Sequence, residues 1–215
     1  MTDKLLDLIK EKYKLCKLDV GEFSTLKASG MKFSVEAYRA EGLGHVSVMR
    51  AKGFFGLMKM DTLMIVPKDV DLPLYSYDRI YAMGNDTLIV ELYDTFTESV
   101  DMSALEAVKS NFASLPDRDP GEHWYDSTKL PESISKKGKK AQKQDFDTLV
   151  IEHFCAYLGV NAPAALDVEK KRELSSRYVN GLLSQGGPST DVFKRELGEE
   201  KTAKLFRKVL FGPDL

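Results

Sequence analysis

The sequence predicts an α+β fold in which helices pack against a central antiparallel sheet. Three observations carry this. Period-two alternation and β-branched or aromatic runs are concentrated before residue 95. The connections between those runs are too short for parallel crossovers, which take a dozen or more residues. Beyond them the apolar period changes to the helical one.

Taken in order, Thr2 caps a first helix with Asp3 in its first turn, and Leu5, Leu6, Ile9, Tyr13 and Cys16 fall on one face at helical spacing. Strands follow. Lys32 to Tyr38 alternates, with Phe33, Val35 and Ala37 on one side. His45 to Ala51 repeats the pattern, with Val46 and Val48 opposite His45, Ser47 and Met49, and Gly42-Leu43-Gly44 joins the two. Leu63 to Val66 is an apolar run closed by Pro67, which lacks the N–H needed to continue an interior ladder. Lys68 to Tyr77 then reads as a connection, so Asp78 stands where a strand begins. Arg79 to Met83 and Thr87 to Tyr93 form a hairpin about Gly84-Asn85-Asp86, residues that tolerate positive φ. That makes five strands before residue 95.

Met102, Leu105, Val108, Phe112 and Leu115 mark a helix stopped by Pro116. Residues 117–143 have no periodicity, carry Pro120, Trp124, Pro131 and a lysine cluster, and read as a long exposed loop. Helices resume with Phe146, Leu149, Val150, Phe154 and Tyr157 up to Gly159, then through Leu174, Tyr178 and Leu182 to Gly186-Gly187-Pro188. A last pair flanks Gly198, with Val192, Phe193 and Leu197 before it and Ala203, Phe206, Val209 and Leu210 after.

Composition narrows the functional classes. The chain has 43% hydrophobic and 30% charged residues, the balance of a soluble globular protein and unlike disordered or fibrous chains. A net charge of -2 gives no global attraction to nucleic acid or membrane. No stretch approaches the roughly 20 apolar residues that span a bilayer, and the first residues form a charged amphipathic stretch, so a cytoplasmic protein is expected. Cys16 and Cys155 lack any metal or redox spacing and read as thiols, and His45, His123 and His153 match no metal-ligand pattern. Neither GxGxxG after a strand nor GxxxxGK[ST] occurs, and no Gly-x-Ser-x-Gly elbow or Cys-His arrangement offers a nucleophile.

One ordered set of short motifs is more specific. Pro67, Leu72-Pro73-Leu74, Asp78 and a hairpin ending Leu92-Tyr93-Asp94 resemble the central segment of the ferredoxin-dependent bilin reductases. This family includes phycocyanobilin:ferredoxin oxidoreductase and, more distantly, red chlorophyll catabolite reductase. Val192 to Glu199 and Val209-Leu210-Phe211 are similar to its closing helix pair. The likeness covers residues 32 to 98 and 145 to 211.

The resemblance implies one bilin-reductase-like domain over 1–215, built as a three-layer α/β/α sandwich that binds a linear tetrapyrrole between sheet and C-terminal helices. It also implies reduction by single electrons from an external ferredoxin-type donor, with no bound cofactor or metal. The family's central aspartate falls on Asp78, the expected proton donor. Other positions depart from the pattern. The family's histidine falls at or next to Thr62, its glutamate near Ser47, and its second aspartate near Gly187, with Asp191 four residues later as the stand-in.

The expected substrate contacts are Ser47 and Thr62 by the resemblance, His45 from its place on a strand, and Met49 and Met64, which with Met58, Met60 and Met83 could line a flat, polarizable ligand or belong to the core. Lys136, Lys137, Lys139, Lys140 and Lys143 are the expected docking site for an acidic ferredoxin, or a solvated flexible loop. A non-catalytic tetrapyrrole carrier is the alternative reading, and an interaction module using the basic loop the third.

Overall fold

The computed structural model describes residues 1–212; positions 213–215 of the expected domain span lie outside the described residues. An eight-stranded antiparallel sheet forms the middle layer. In chain order its strands are β1 (Leu15–Leu18), β2 (Thr25–Ala28), β3 (Met31–Ala40), β4 (Gly44–Gly53), β5 (Met58–Pro67), β6 (Leu74–Ala82), β7 (Asn85–Tyr93) and β8 (Ile134–Lys139). Strands β3 to β8 are neighbours in sequence order, and the short β1 and β2 both pair with β3.

Strand alternation sorts side chains onto two faces. Val46 and Val48 of β4, Leu63 and Ile65 of β5, Tyr75 and Tyr77 of β6, and Leu88 and Val90 of β7 face one way. They pack against α1 (Thr2–Lys12), α2 (Ser103–Asn111) and α3 (Lys143–Gly159) through Leu5, Ile9, Leu105, Phe146 and Phe154. The opposite side chains, including Phe33, Val35, Met49 and Met64, meet α4 (Val168–Gln185), α5 (Pro188–Leu197) and α6 (Glu199–Lys204), which continues into a π-helical turn over Leu205–Leu210. The result is the expected α+β sandwich of three layers.

Several expectations are corrected. The first helix stops at Lys12 because Tyr13 turns extended; Cys16 belongs to β1, paired with Arg39. Seven strands, not five, precede residue 95, the additions being four-residue edge segments too short to show a period. Strand β6 begins at Leu74, so Asp78 lies in its middle and not at its start. The β6–β7 turn is Met83-Gly84, with φ of 51° and 75°, and Asn85 already pairs with Ala82.

The expected exposed loop of 117–143 contains β8, and Lys136 is buried, its Nζ donating to the Leu115 carbonyl at 2.9 Å and to Asp117 at 2.7 Å. Lysines on an edge strand discourage further strand pairing, which is why this strand hides inside a basic run.

Candidate functional site

The registry of four strands builds the floor of a cleft. Met49 stands opposite Thr62, Thr62 opposite Asp78, and Asp78 opposite Ile89, in one row across β4 to β7 on the face toward the C-terminal helices. The parallel row beside it carries Ser47, Met64, Ser76 and Glu91. Above this floor lie Tyr178 and Leu182 of α4, Gly187 to Thr190 at the start of α5, and Phe206, Leu210 and Phe211. Residues 118–125 close a third side with Arg118, Pro120, His123 and Tyr125. The cleft has a cavity volume of about 170 Å³, smaller than the roughly 300–1,000 Å³ of most small-molecule sites.

The chemistry centres on Asp78. The Thr62 hydroxyl donates to its Oδ1 at 2.5 Å. Burial pushes the Asp78 carboxyl up to about 6; the Thr62 hydrogen bond works against this, and the negative charge of Glu91 adds to it. Thr62 itself has no proton to exchange near neutral pH. Asp78 is thus a carboxyl in a mostly apolar hollow that is partly protonated near neutral pH, the state a general acid needs.

A second acid was not singled out from sequence. Glu91 lines the same cleft, with Tyr93 donating to its Oε2 at 2.5 Å and Lys129 reaching its Oε1 at 3.4 Å. The signal was available: Glu91 is the one acid in the apolar run Leu88-Ile89-Val90-Glu91-Leu92, on the parity of Ile89 and Tyr93. Around it is an aromatic wall. The rings of Tyr93 and Tyr178 lie 4.1 Å apart, Tyr125 meets both edge-on, and His123 stacks on Tyr125 at 4.9 Å. Burial raises the hydroxyls of Tyr93 and Tyr178 well above the ordinary tyrosine range, so both remain donors.

Of the sequence-based candidates, Asp78, Thr62, Met49 and Met64 come together here, joined by Met60. Ser47 and His45 share their face but lie under the closing turn. Ser47 donates to the Leu210 carbonyl and His45 Nε2 to the Val209 carbonyl, each at 2.7 Å, so they fasten the π-helical turn to the sheet and do not line the cleft. Asp191 is exposed on the first turn of α5, beside Gly186 and outside the cleft that its neighbours Gly187 to Thr190 line. Met58 and Met83 also stand outside, Met83 fully on the surface. Among the described residues no cluster of acids, histidines and cysteines is arranged to hold a metal ion.

No family model matches the chain, and no curated protein does so by sequence. The structure does find a counterpart. It superposes on the crystal structure of phytochromobilin synthase from tomato, in complex with biliverdin, with a TM-score of 0.75, over 98% of this chain and 83% of that one. The chain has the bilin reductase fold. Sequence identity is only 16%, so the bilin reductase fold is held here by a largely different set of side chains. The cleft lies between sheet and C-terminal helices, where the resemblance placed the ligand.

Proposed function

We propose that this protein reduces a linear tetrapyrrole, with Asp78 as proton donor and single electrons arriving from a ferredoxin-type protein. The observation that carries this reading is Asp78 itself, raised to about 6 at the floor of an aromatic cleft. Methionine sulfurs and tyrosine rings suit a flat conjugated ligand. Saturating one double bond takes two electrons, delivered singly, and two protons. Asp78 supplies the first proton, is reprotonated by water through the cleft mouth and supplies the second, which with the two electrons saturates the bond. The exposed Lys137, Lys139, Lys140 and Lys143 offer charge for an acidic donor, whereas Lys136 is withdrawn by burial. Cys16 and Cys155 are free thiols, in keeping with a reducing cytoplasm.

A carrier without redox chemistry is the second reading, favoured by one observation: Thr62, which cannot titrate near neutral pH, is the direct partner of Asp78. Titration with biliverdin separates both from any unrelated function, a shifted and intensified red band being expected. An unchanged spectrum removes the tetrapyrrole. Reduced ferredoxin under anaerobic conditions then bleaches or shifts that band for a reductase and leaves it for a carrier.

A further inference from the structure

A separate region has no part in the cleft. Three hairpin tips meet at one end of the sheet: Ser29-Gly30 between β2 and β3, residues 54–57 between β4 and β5, and Met83-Gly84 between β6 and β7. All four non-glycine residues with positive φ among the described residues are at these tips: Ser29, Phe54, Phe55 and Met83. Bulky side chains are rare in that conformation. The three bulky ones, Phe54, Phe55 and Met83, are also left in water together with Leu57, with relative exposures of 54%, 108%, 91% and 73% respectively. Phe55, Leu57 and Met83 are largely unburied here, so folding gains little from placing them at the tips, which points to a reason outside the fold.

Directly behind the tips runs a row of like charge. Lys27 pairs with Lys32, Lys32 with Lys52, and Lys52 with Lys59, four lysines side by side on neighbouring strands, all exposed. Like charges directly opposite one another destabilise a sheet. The chain's net charge of -2 conceals this local excess. Each lysine lies two residues back from its tip, which at roughly 3.3 Å per residue is about 7 Å. Interfacial protein segments bury apolar side chains about 5–10 Å into the headgroup and acyl boundary. The spacing thus puts the lysines at phosphate depth when the phenylalanines reach the acyl chains.

We infer that this end of the sheet docks on an anionic lipid bilayer, Phe54, Phe55, Leu57 and Met83 entering it and the Lys27–Lys32–Lys52–Lys59 row binding its headgroups. A bilayer fits better than an acidic protein for two reasons. The apolar groups sit on projecting tips and not on a flat patch, and lysine, which is depleted at protein interfaces, is the only cation in the row.

Co-sedimentation of the full chain with phosphatidylcholine vesicles, with and without phosphatidylserine, tests this. Binding is expected only with phosphatidylserine and is expected to weaken as salt rises. The pairs Lys32→Glu/Lys52→Glu and Phe55→Ser/Leu57→Ser are each expected to weaken it by at least about tenfold, through lost headgroup attraction and lost apolar insertion respectively. Both pairs are exposed, and an unchanged circular dichroism spectrum confirms folding. Failure of the unaltered chain to bind phosphatidylserine vesicles overturns the inference. So does binding that neither pair weakens, or a lysine pair that impairs only association with an acidic protein.

Discussion

Thr62 and Asp78 face each other across β5 and β6, and the hydroxyl of the first donates to the carboxyl of the second at 2.5 Å. The contact favours the charged carboxylate and so opposes the burial that raises it to about 6. Replacing Thr62 by Val keeps the shape and removes the donor. The Asp78 midpoint is expected to rise, which a pH titration of the bound pigment's absorbance will register as a shift toward alkaline pH.

Glu91 acts on Asp78 from the neighbouring row through its charge. In Glu91→Gln that charge is gone while the Tyr93 hydroxyl retains an acceptor. The same midpoint is expected to move down. Measured in both variants, opposite shifts establish that the two neighbours set the acidity of Asp78; shifts of the same sign would refute it.

If Asp78 is the donor proposed above, turnover falls as pH rises through about 6, where its carboxyl loses its proton. Asp78→Asn should retain biliverdin, lose this descending limb and slow reduction at least about tenfold. An unaltered rate would dismiss the role.

The same carboxyl has a stability consequence. Its folded value of about 6 lies above the unfolded one. The native state therefore holds the proton more tightly between about pH 4 and 6, and stability is lost as pH rises through that window. With allowance for partial exposure to the cleft, the loss is on the order of 1–2 kcal/mol. Thermal melts of Asp78→Asn should lack this fall, and equal pH dependence in both proteins would count against the raised value.

Gly181 of α4 lies against the ring of Trp124, where an added Cβ would come within 2.2 Å. Trp124 also donates from its indole nitrogen to the Gly186 carbonyl at 3.0 Å. Gly181→Ala is expected to displace the 118–125 segment, costing about 1–3 kcal/mol by denaturant unfolding and weakening pigment binding. A variant as stable as the parent would show that the ring yields freely.

The sheet was legible wherever both faces of a strand met protein over many residues. In β4 and β7 the alternation of Val46 and Val48, or Leu88 and Val90, with their opposite neighbours is long enough to give both period and orientation. Asp78 and Thr62 were singled out on a resemblance and Met49 and Met64 as polarizable side chains, and the strand registry sets Met49, Thr62 and Asp78 in one row with Met64 in the next. Four-residue edge strands leave no period to read, and lysine on β8 looks like solvent-loving loop. Tyr125 and Tyr178 come from distant segments that meet only once α4 folds over the sheet. His45 and Ser47 misled because parity tells which way a side chain points but not what covers it.

Every residue on the cleft floor has an immediate neighbour in the chain that belongs to the other layer: Asp78 sits between Tyr77 and Arg79, Met64 between Leu63 and Ile65. The sheet is therefore a wall shared by two rooms furnished separately. Residues facing the cleft can be exchanged to suit a different ligand while the packing against α1 and α3 stays as it is. A scaffold at 16% identity to the tomato enzyme is what such a partition permits.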